Sequence, residues 1–362
     1  MTLVIFDIGS GSVGAGVAHL NPAAPPLFLY TTRIPISLRH GGRSGARLLS
    51  QMLLALSGVA ERVLHEGLAP QGASGTPRAF EIFVALASPW VSSRATTLVL
   101  NTQKPVRVTL ELLAELRAAS DAEEESDGEA RFRTEEKIEE KLFRATLNGR
   151  ENASPFNKMA RVAEFHLFQS FAPYGFKEKV VETIRYHLPE HPIGLHAFSL
   201  TVAAFLREHE PRLRTLFFAD MGGEQTELCF VREGSIESLV SIPLGRNHLI
   251  RALQTRGLSD SAAEGMLALH HAQQGSGRQF ARASEILREA SLEWGRQVES
   301  CLPTGVPSTT PFFICADEEV LPLCTAALQK RTAVRPVDAE MVGYRDIFLG
   351  IEALAAHQLR MS

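Results

Sequence analysis

Two stretches of this chain, 213 positions apart, are built alike. LVIFDIGSGSVGAGVAHL (3–20) lies over LFFADMGGEQTELCFVRE (216–233) with an apolar strand, an aspartate, a glycine, a polar turn and a second strand in step. Asp7 falls on Asp220, and Gly9 falls on Gly222. Each stretch reads as two strands around a turn with an acid at its lip. Because each opens one half of the chain, the repeat predicts two related half-domains that face each other.

The rest of the sequence fits that division. At 362 residues the chain exceeds what one core holds. Strands are expected at 3–6, 13–18 and 26–36. A helix follows, with apolar residues at Leu49, Met52, Leu53, Leu56, Val59 and Val63, Ser44 as N-cap and Gly67 as stop. GLAPQGASGTP reads as a loop. RAFEIFVALAS (78–88) reads as a buried strand parallel to the sheet already begun, because a helix intervenes. A strand and a helix come after Pro89. Residues 121–141 then hold ten acids and four bases, and read as a solvated helix face or a mobile loop. FRATLNGRENASPFNKMARVAEFHLFQSF reads as two strands around a polar loop. Together these make a small α+β segment of about eighty residues inserted ahead of a helix near 175. The second half predicts strands at 214–219, 226–231 and 236–243, helices at 246–270 and 278–299, a late buried strand PFFICAD with a helix after it, and a last helix YRDIFLGIEALAAHQL.

The two turns carry the chemistry. Glycine in a tight turn lets backbone N–H groups approach an anion with no Cβ in the way. Two such turns facing each other can clamp the β- and γ-phosphates of a nucleotide. Asp7 and Asp220 make sense there beside a divalent cation held through water, as Mg²⁺ prefers. Ser10, Ser12 and Thr226 can donate to phosphate oxygens. One such hairpin is weak evidence; two in register are much more specific.

Other functions find little support. The net charge of −4 gives no reason to expect nucleic acid or an anionic membrane surface. The four cysteines have no metal-binding spacing and read as buried residues in a reducing compartment. The N-terminus lacks the basic and apolar regions of a signal peptide, and no apolar run is long enough to span a membrane. GxSxG, HExxH and GxxxxGK[ST] are absent. His270 and His271 are adjacent on a helix and point to different sides. A cytoplasmic location is expected.

DIGSGSVGAGVA resembles the first phosphate motif of the actin, sugar-kinase and heat-shock-chaperone ATPase superfamily, and FFADMGGEQTELCFVREG resembles its second. The position of the inserted segment is similar to that in the FtsA/PilM branch, the bacterial actin-like proteins of cell division and type IV pilus assembly. VSIPLGRNHLIRALQTRGLSDSAAEGM and EEKLFRATLNGRENASPFNKMARVAEFHLFQSF also look like that branch. The resemblance implies an α/β fold of two actin-like (ribonuclease H-like) half-domains around a nucleotide cleft, plus an inserted SHS2-type α+β domain. The expected domains are 1–88 with 171–210, 89–170 for the insertion, and 211–362.

By the same resemblance ATP and Mg²⁺ would be the cofactors. Gly9, Ser10, Gly11 and Ser12 would form one phosphate loop, Gly222, Gly223 and Thr226 the other, and Asp7 and Asp220 would hold Mg²⁺ through water. Two departures stand out. Relatives carry a base near position 12 or 14, where this chain has Ser12 and Gly14. They also end the late strand in Gly-Gly, where this chain has Ala316, Asp317 and Glu318, side chains that would crowd and repel a nucleotide. His196 stands where an acid or amide positions the attacking water in hydrolysing relatives, but a lone histidine is more often packed or capping. Activity would be at most weak ATP hydrolysis.

The leading expectation is a cytoplasmic ATP-binding scaffold that self-assembles and binds a partner. That partner would be a division protein or the cytoplasmic peptide of a pilus inner-membrane protein, which would recruit the chain to the inner face of the membrane. The final helix has few bases and reads as part of the fold, not as an anchor. Two alternatives stay open: a protein-binding scaffold without nucleotide, and a small-molecule kinase of the same fold. A kinase needs a base aimed into the cleft, and no clear one is visible.

Overall fold

The computed structural model describes residues 1–21, 24–36, 45–68, 80–126 and 134–361. The chain begins with β1 (Thr2–Ile8), β2 (Ser12–Asn21) and β3 (Ala24–Pro35), then α1 (Gly45–Arg62), which widens into a π-type turn over Val63–Leu68, then β4 (Glu81–Leu86). The inserted segment contributes β5 (Ser92–Arg107), α2 (Leu110–Ser126), β6 (Glu135–Leu147), β7 (Arg150–Glu151) and β8 (Met159–Pro173). α3 (Phe176–His187), β9 (Ile193–Ala197) and α4 (Phe198–His209) complete the first half. The second half runs through β10 (Leu216–Met221), β11 (Thr226–Arg232), β12 (Ser235–Ile242), α5 (Arg246–Gln254), α6 (Asp260–His271), α7 (Gly277–Cys301), β13 (Phe312–Ala316), α8 (Leu321–Ala327), β14 (Val334–Pro336), α9 (Ala339–Val342) and α10 (Ile347–Met361).

The repeat is present in space. The first sheet has the order β3-β2-β1-β4-β9, and the second has β12-β11-β10-β13-β14, the same order read element for element. β1 runs antiparallel to β2 and parallel to β4; β10 runs antiparallel to β11 and parallel to β13. β1 and β10 are apolar apart from Thr2 and the aspartates Asp7 and Asp220, because both faces of each central strand are buried. The registers match too: Asp7 pairs with Gly14, and Asp220 with Glu227.

The third sheet, β5-β8-β6-β7, comes wholly from the inserted segment. One face packs its own core of Leu98, Leu100, Leu113, Ala145, Leu147 and Phe165. It is tied to the first half through Glu139 of β6. That carboxylate accepts from the Ala197 N–H at 2.6 Å and pairs with His196 Nδ1 at 3.0 Å.

The structure departs from the sequence reading in several places. Glu135–Lys141, read within an acidic helix face or loop, lies in strand β6. The acids are themselves partly buried there, and Glu139 and Glu140 find basic or N–H partners. β9 and β14 were not foreseen; each is too short for periodicity to reveal. Gly67 does not stop the helix but lies inside the π-type turn, where a Cβ would come within 2.9 Å of Val17. The last helix, grouped in sequence with the second half, packs instead against α4, β1 and β2 of the first. Leu349, Ile351, Ala353, Ala355 and Ala356 are buried along it, an apolar surface too broad for an exposed position. The proposed N-cap Ser44 and most of the loop at 67–77 lie outside the described residues.

Candidate functional site

The two glycine turns meet where the halves face each other. The Gly9 N–H donates to Ser12 O at 3.1 Å, and 213 residues on, the Gly222 N–H donates to Gln225 O at 2.9 Å. The same short bond closes both turns. The turns touch. The Glu224 N–H donates to Ser10 Oγ at 2.9 Å, and Ser88 Oγ donates to Gln225 Oε1 at 2.6 Å. A Cβ on Gly223 would lie 2.4 Å from the Gly11 nitrogen and 2.6 Å from its Cα. The glycines therefore serve a close approach of backbone to backbone. Behind the second turn, the Arg246 and Asn247 N–H groups at the start of α5 donate to Gly222 O and Gly223 O at 2.9 and 2.8 Å. Those carbonyls satisfy helix N–H groups that would otherwise lack partners.

Asp7 sits at the end of β1, only 4% exposed. Arg33 of β3 reaches it. Arg33 Nη1 donates to Asp7 Oδ2 at 2.7 Å and to Ser12 Oγ at 2.9 Å. The other edge of the guanidinium grips Asp346 at the start of α10, Nε to Oδ2 at 3.0 Å and Nη2 to Oδ1 at 2.9 Å. Burial opposes the charge on Arg33, but Asp7 and Asp346 outweigh it and hold the guanidinium protonated. Burial pushes the Asp7 carboxyl above its usual range, and Arg33 pulls it back. The expected absence of a base at this loop is thus corrected: Ser12 and Gly14 bring none, but Arg33 arrives from the neighbouring strand.

Glu352 of α10 completes this group. It is fully buried, and neither carboxylate oxygen has a donor among the described residues. Burial, followed by the charge of Asp7, pushes its pKa well above the ordinary value.

Asp220, the partner by repeat, has a different environment. It is buried, and its carboxylate has no hydrogen bond or ion pair among the described residues. Burial, then Glu227 and Asp7, raise its pKa well above the ordinary value. Glu227 lies across from it on β11, buried beside the hydroxyls of Ser199 and Ser93. Those hydroxyls come from α4 of the first half and β5 of the inserted sheet, so both halves and the insertion contribute to one junction. Burial lifts Glu227 to about 7 against their effect.

Thr226 is placed in the second turn as expected, but its hydroxyl faces away from the cleft. Thr226 Oγ1 donates to Leu244 O at 2.6 Å and accepts from Trp294 Nε1 at 2.9 Å. It is a structural hydroxyl of the second half. Ala316, Asp317 and Glu318 form the turn after β13. Asp317 pairs with Arg246 Nε at 3.4 Å, and the same guanidinium binds Glu264 at 2.5 Å and Glu319 at 2.9 Å. The acids of this turn are thus partly compensated, and Glu318 stands out in solvent at 86% exposure. His196 is a packing residue: its ring stacks on Phe83 at 4.5 Å and its Nδ1 binds Glu139.

The structure therefore brings together Asp7, Gly9, Ser10, Gly11, Ser12, Asp220, Gly222 and Gly223, and turns the Thr226 hydroxyl aside. In this arrangement the two turns touch, Gly223 against Gly11 and the Glu224 N–H on Ser10 Oγ, and Asp7 is already paired with the Arg33 guanidinium. Among the described residues, no three or more His, Cys, Asp or Glu side chains are grouped to hold a metal ion. Sequence reasoning missed Arg33, Asp346, Glu352, Ser88 and Arg246. Only Arg33 left a trace, as a lone base in an otherwise apolar and Thr-rich third strand.

Fold and site together define an α/β protein of the actin-like ATPase fold. The chain superposes on a structure described as a PilM–PilN type IV pilus biogenesis complex with a TM-score of 0.63, at 16% identity over 98% of both chains. It is also similar to the ethanolamine utilization protein EutJ from Carboxydothermus hydrogenoformans, TM-score 0.50, at 10% identity over 98% of this chain and 88% of that one. No protein-family model matches the sequence. No curated protein matches it either. Among the described residues, no helix is long and apolar enough to cross a membrane.

Proposed function

We propose that this chain is an actin-like scaffold of the PilM type that works by docking a partner protein, with its cleft closed by its own residues. The single observation that carries the reading is the seating of the Ser10–Gly11 turn directly on the Gly222–Gly223 turn. A cleft closed in this way presents the two halves and the inserted sheet together to whatever binds it. The likeness to a PilM–PilN complex over nearly the full length of both chains supports a partner of the pilus type. A division partner of the FtsA type is the other member of the same proposal. Partner binding would bring a cytoplasmic chain to the inner face of the membrane.

The test is a thermal-shift titration of the full chain. One arm uses a synthetic peptide with the sequence of the cytoplasmic end of a pilus inner-membrane protein; the other uses Mg²⁺-ATP. A rise in Tm with peptide and none with millimolar Mg²⁺-ATP is expected. The reading fails if Mg²⁺-ATP raises Tm and Asp7→Ala abolishes that rise. That second outcome is the nucleotide-switch reading, and the unpaired carboxylate of Asp220 favours it. Opening of the halves would expose Asp220 to a hydrated cation.

A further inference from the structure

Arg33 stands at a place prepared for it. β2 and β3 pair so that Gly14 faces Arg33, and a Cβ on Gly14 would lie 2.6 Å from Arg33 Nη2. The guanidinium thus occupies the space of a missing side chain. It has oxygen partners on both edges: Asp7 and Ser12 on one, both oxygens of Asp346 on the other. The forked contact with Asp346 is the geometry in which arginine surpasses lysine.

The charge around it explains why a cation is needed. Asp7 comes from β1 and Asp346 from the start of α10, while Asp317 and Asp220 approach from the second half. Asp7 and Asp346 are brought together around one guanidinium, and like charges in a water-poor site repel strongly. A bound metal would relieve that repulsion from outside. Here a side chain of the same chain relieves it.

We propose that Arg33 is the resident cation of this cleft, balancing Asp7 and Asp346 so that closure of the halves needs neither metal nor nucleotide. The proposal rests on the nucleotide-free scaffold reading above and adds its mechanism. It also gives the C-terminal helix a role. Asp346 caps α10 by accepting from the Leu349 N–H at 3.2 Å while holding Arg33, so docking of α10 and neutralisation of the first loop are one event.

The experiment measures Tm of the full chain in millimolar MgCl₂ without nucleotide, against an ionic-strength control. The chains compared are wild type, Arg33→Ala, Arg33→Lys and Arg33→Ala combined with Asp7→Asn. The wild type is expected to ignore Mg²⁺. Arg33→Ala lowers Tm and recovers a few degrees with Mg²⁺, because Asp7 is left as a buried hard-oxygen ligand with no cation. Arg33→Lys keeps the charge but loses the fork, and falls between. The double variant loses that recovery, because the buried Asp7 carboxylate that would take up the Mg²⁺ is gone while only Asp346, the more exposed partner, keeps its charge.

If Arg33→Ala does not fold, hydrogen exchange on Asp346→Asn decides. Amides of 7–14 and 347–356 are expected to gain exchange together. The proposal is overturned if Mg²⁺ stabilises wild type as much as Arg33→Ala, if Arg33→Ala folds and ignores Mg²⁺, or if the two segments of Asp346→Asn exchange independently. A wild-type shift that requires ATP as well as Mg²⁺, with Arg33→Ala still rescued by Mg²⁺ alone, supports the resident cation and overturns only the nucleotide-free scaffold.

Discussion

Gly14 and Arg33 face each other across paired strands, and the side chain that Gly14 lacks is the room that the Arg33 guanidinium fills. The pair links two levels of the molecule. A glycine in an apolar strand looks like a packing detail, yet it sets where the positive charge of Arg33 can stand beside Asp7. In the second half the equivalent position is Glu227, an acid opposite an acid, and the two loops accordingly differ in charge.

Gly14→Ala should therefore displace Arg33. The cost expected is about 1–3 kcal/mol, the usual range for overpacking a filled site. Urea denaturation of Gly14→Ala, Arg33→Ala and the double variant checks it. The cost of the alanine should shrink when Arg33 is already gone; strictly additive costs would show that the two positions do not interact.

Gly223→Ala forces a Cβ to within 2.4 Å of the Gly11 backbone, which cannot swing aside as a side chain would. A loss of about 1–3 kcal/mol is expected, together with faster amide exchange at 8–12. Gly265 in α6 is the control, because a Cβ there meets nothing within 4 Å. Gly265→Ala should gain about 0.5–1 kcal/mol through helix propensity. Equal effects at the two sites would refute the loop contact.

Thr226→Val removes a hydroxyl and keeps the shape. The buried Trp294 Nε1–H loses its acceptor and Leu244 O loses its donor. The expected cost is about 1–3 kcal/mol, while Thr226→Ser should cost less because it keeps both bonds. Equal stability of the valine variant and the wild type, by urea denaturation, would place the Thr226 hydroxyl elsewhere.

Glu227 supplies a pH dependence. Its carboxyl titrates at about 7 in the folded chain, against an ordinary value of 4.5. The folded state therefore binds this proton more tightly than the unfolded chain does. The associated stability is present below the ordinary value and is lost as pH climbs toward 7, by up to about 3 kcal/mol. Glu227→Gln stays neutral throughout. The stability gap between variant and wild type should widen in favour of glutamine between about pH 5 and about pH 8. A gap that does not change with pH would mean that Glu227 titrates normally.

How much of this was legible beforehand depends on the range of the interaction. The hairpins, the parallel strand β4 and the long helices follow from local periodicity, which side chains a few positions apart create together. Asp7 and Asp220 were found through the repeat, since equal spacing in two halves survives whatever the surroundings are. The strand through Glu135–Lys141 was missed because its acids are matched from afar. Glu139 meets the Ala197 N–H, and Glu140 meets Arg117 and Gln169. Composition registers the charges but not their partners.

By itself, then, the sequence determined that two similar half-domains, each opening on a glycine turn with an aspartate at its lip, would form around an inserted α+β segment. Burial patterns and turn chemistry are local, and they repeat. Only the tertiary structure decided what those turns do. Arg33 reaches Asp7 from 26 positions away and Asp346 from 313, and Ser10 meets Glu224 across 214. Contacts of that range depend on strand register, on the packing of α10 and on the facing of two halves. No window of sequence contains both partners, so the balance of charge in the cleft could be read only after the chain had closed on itself.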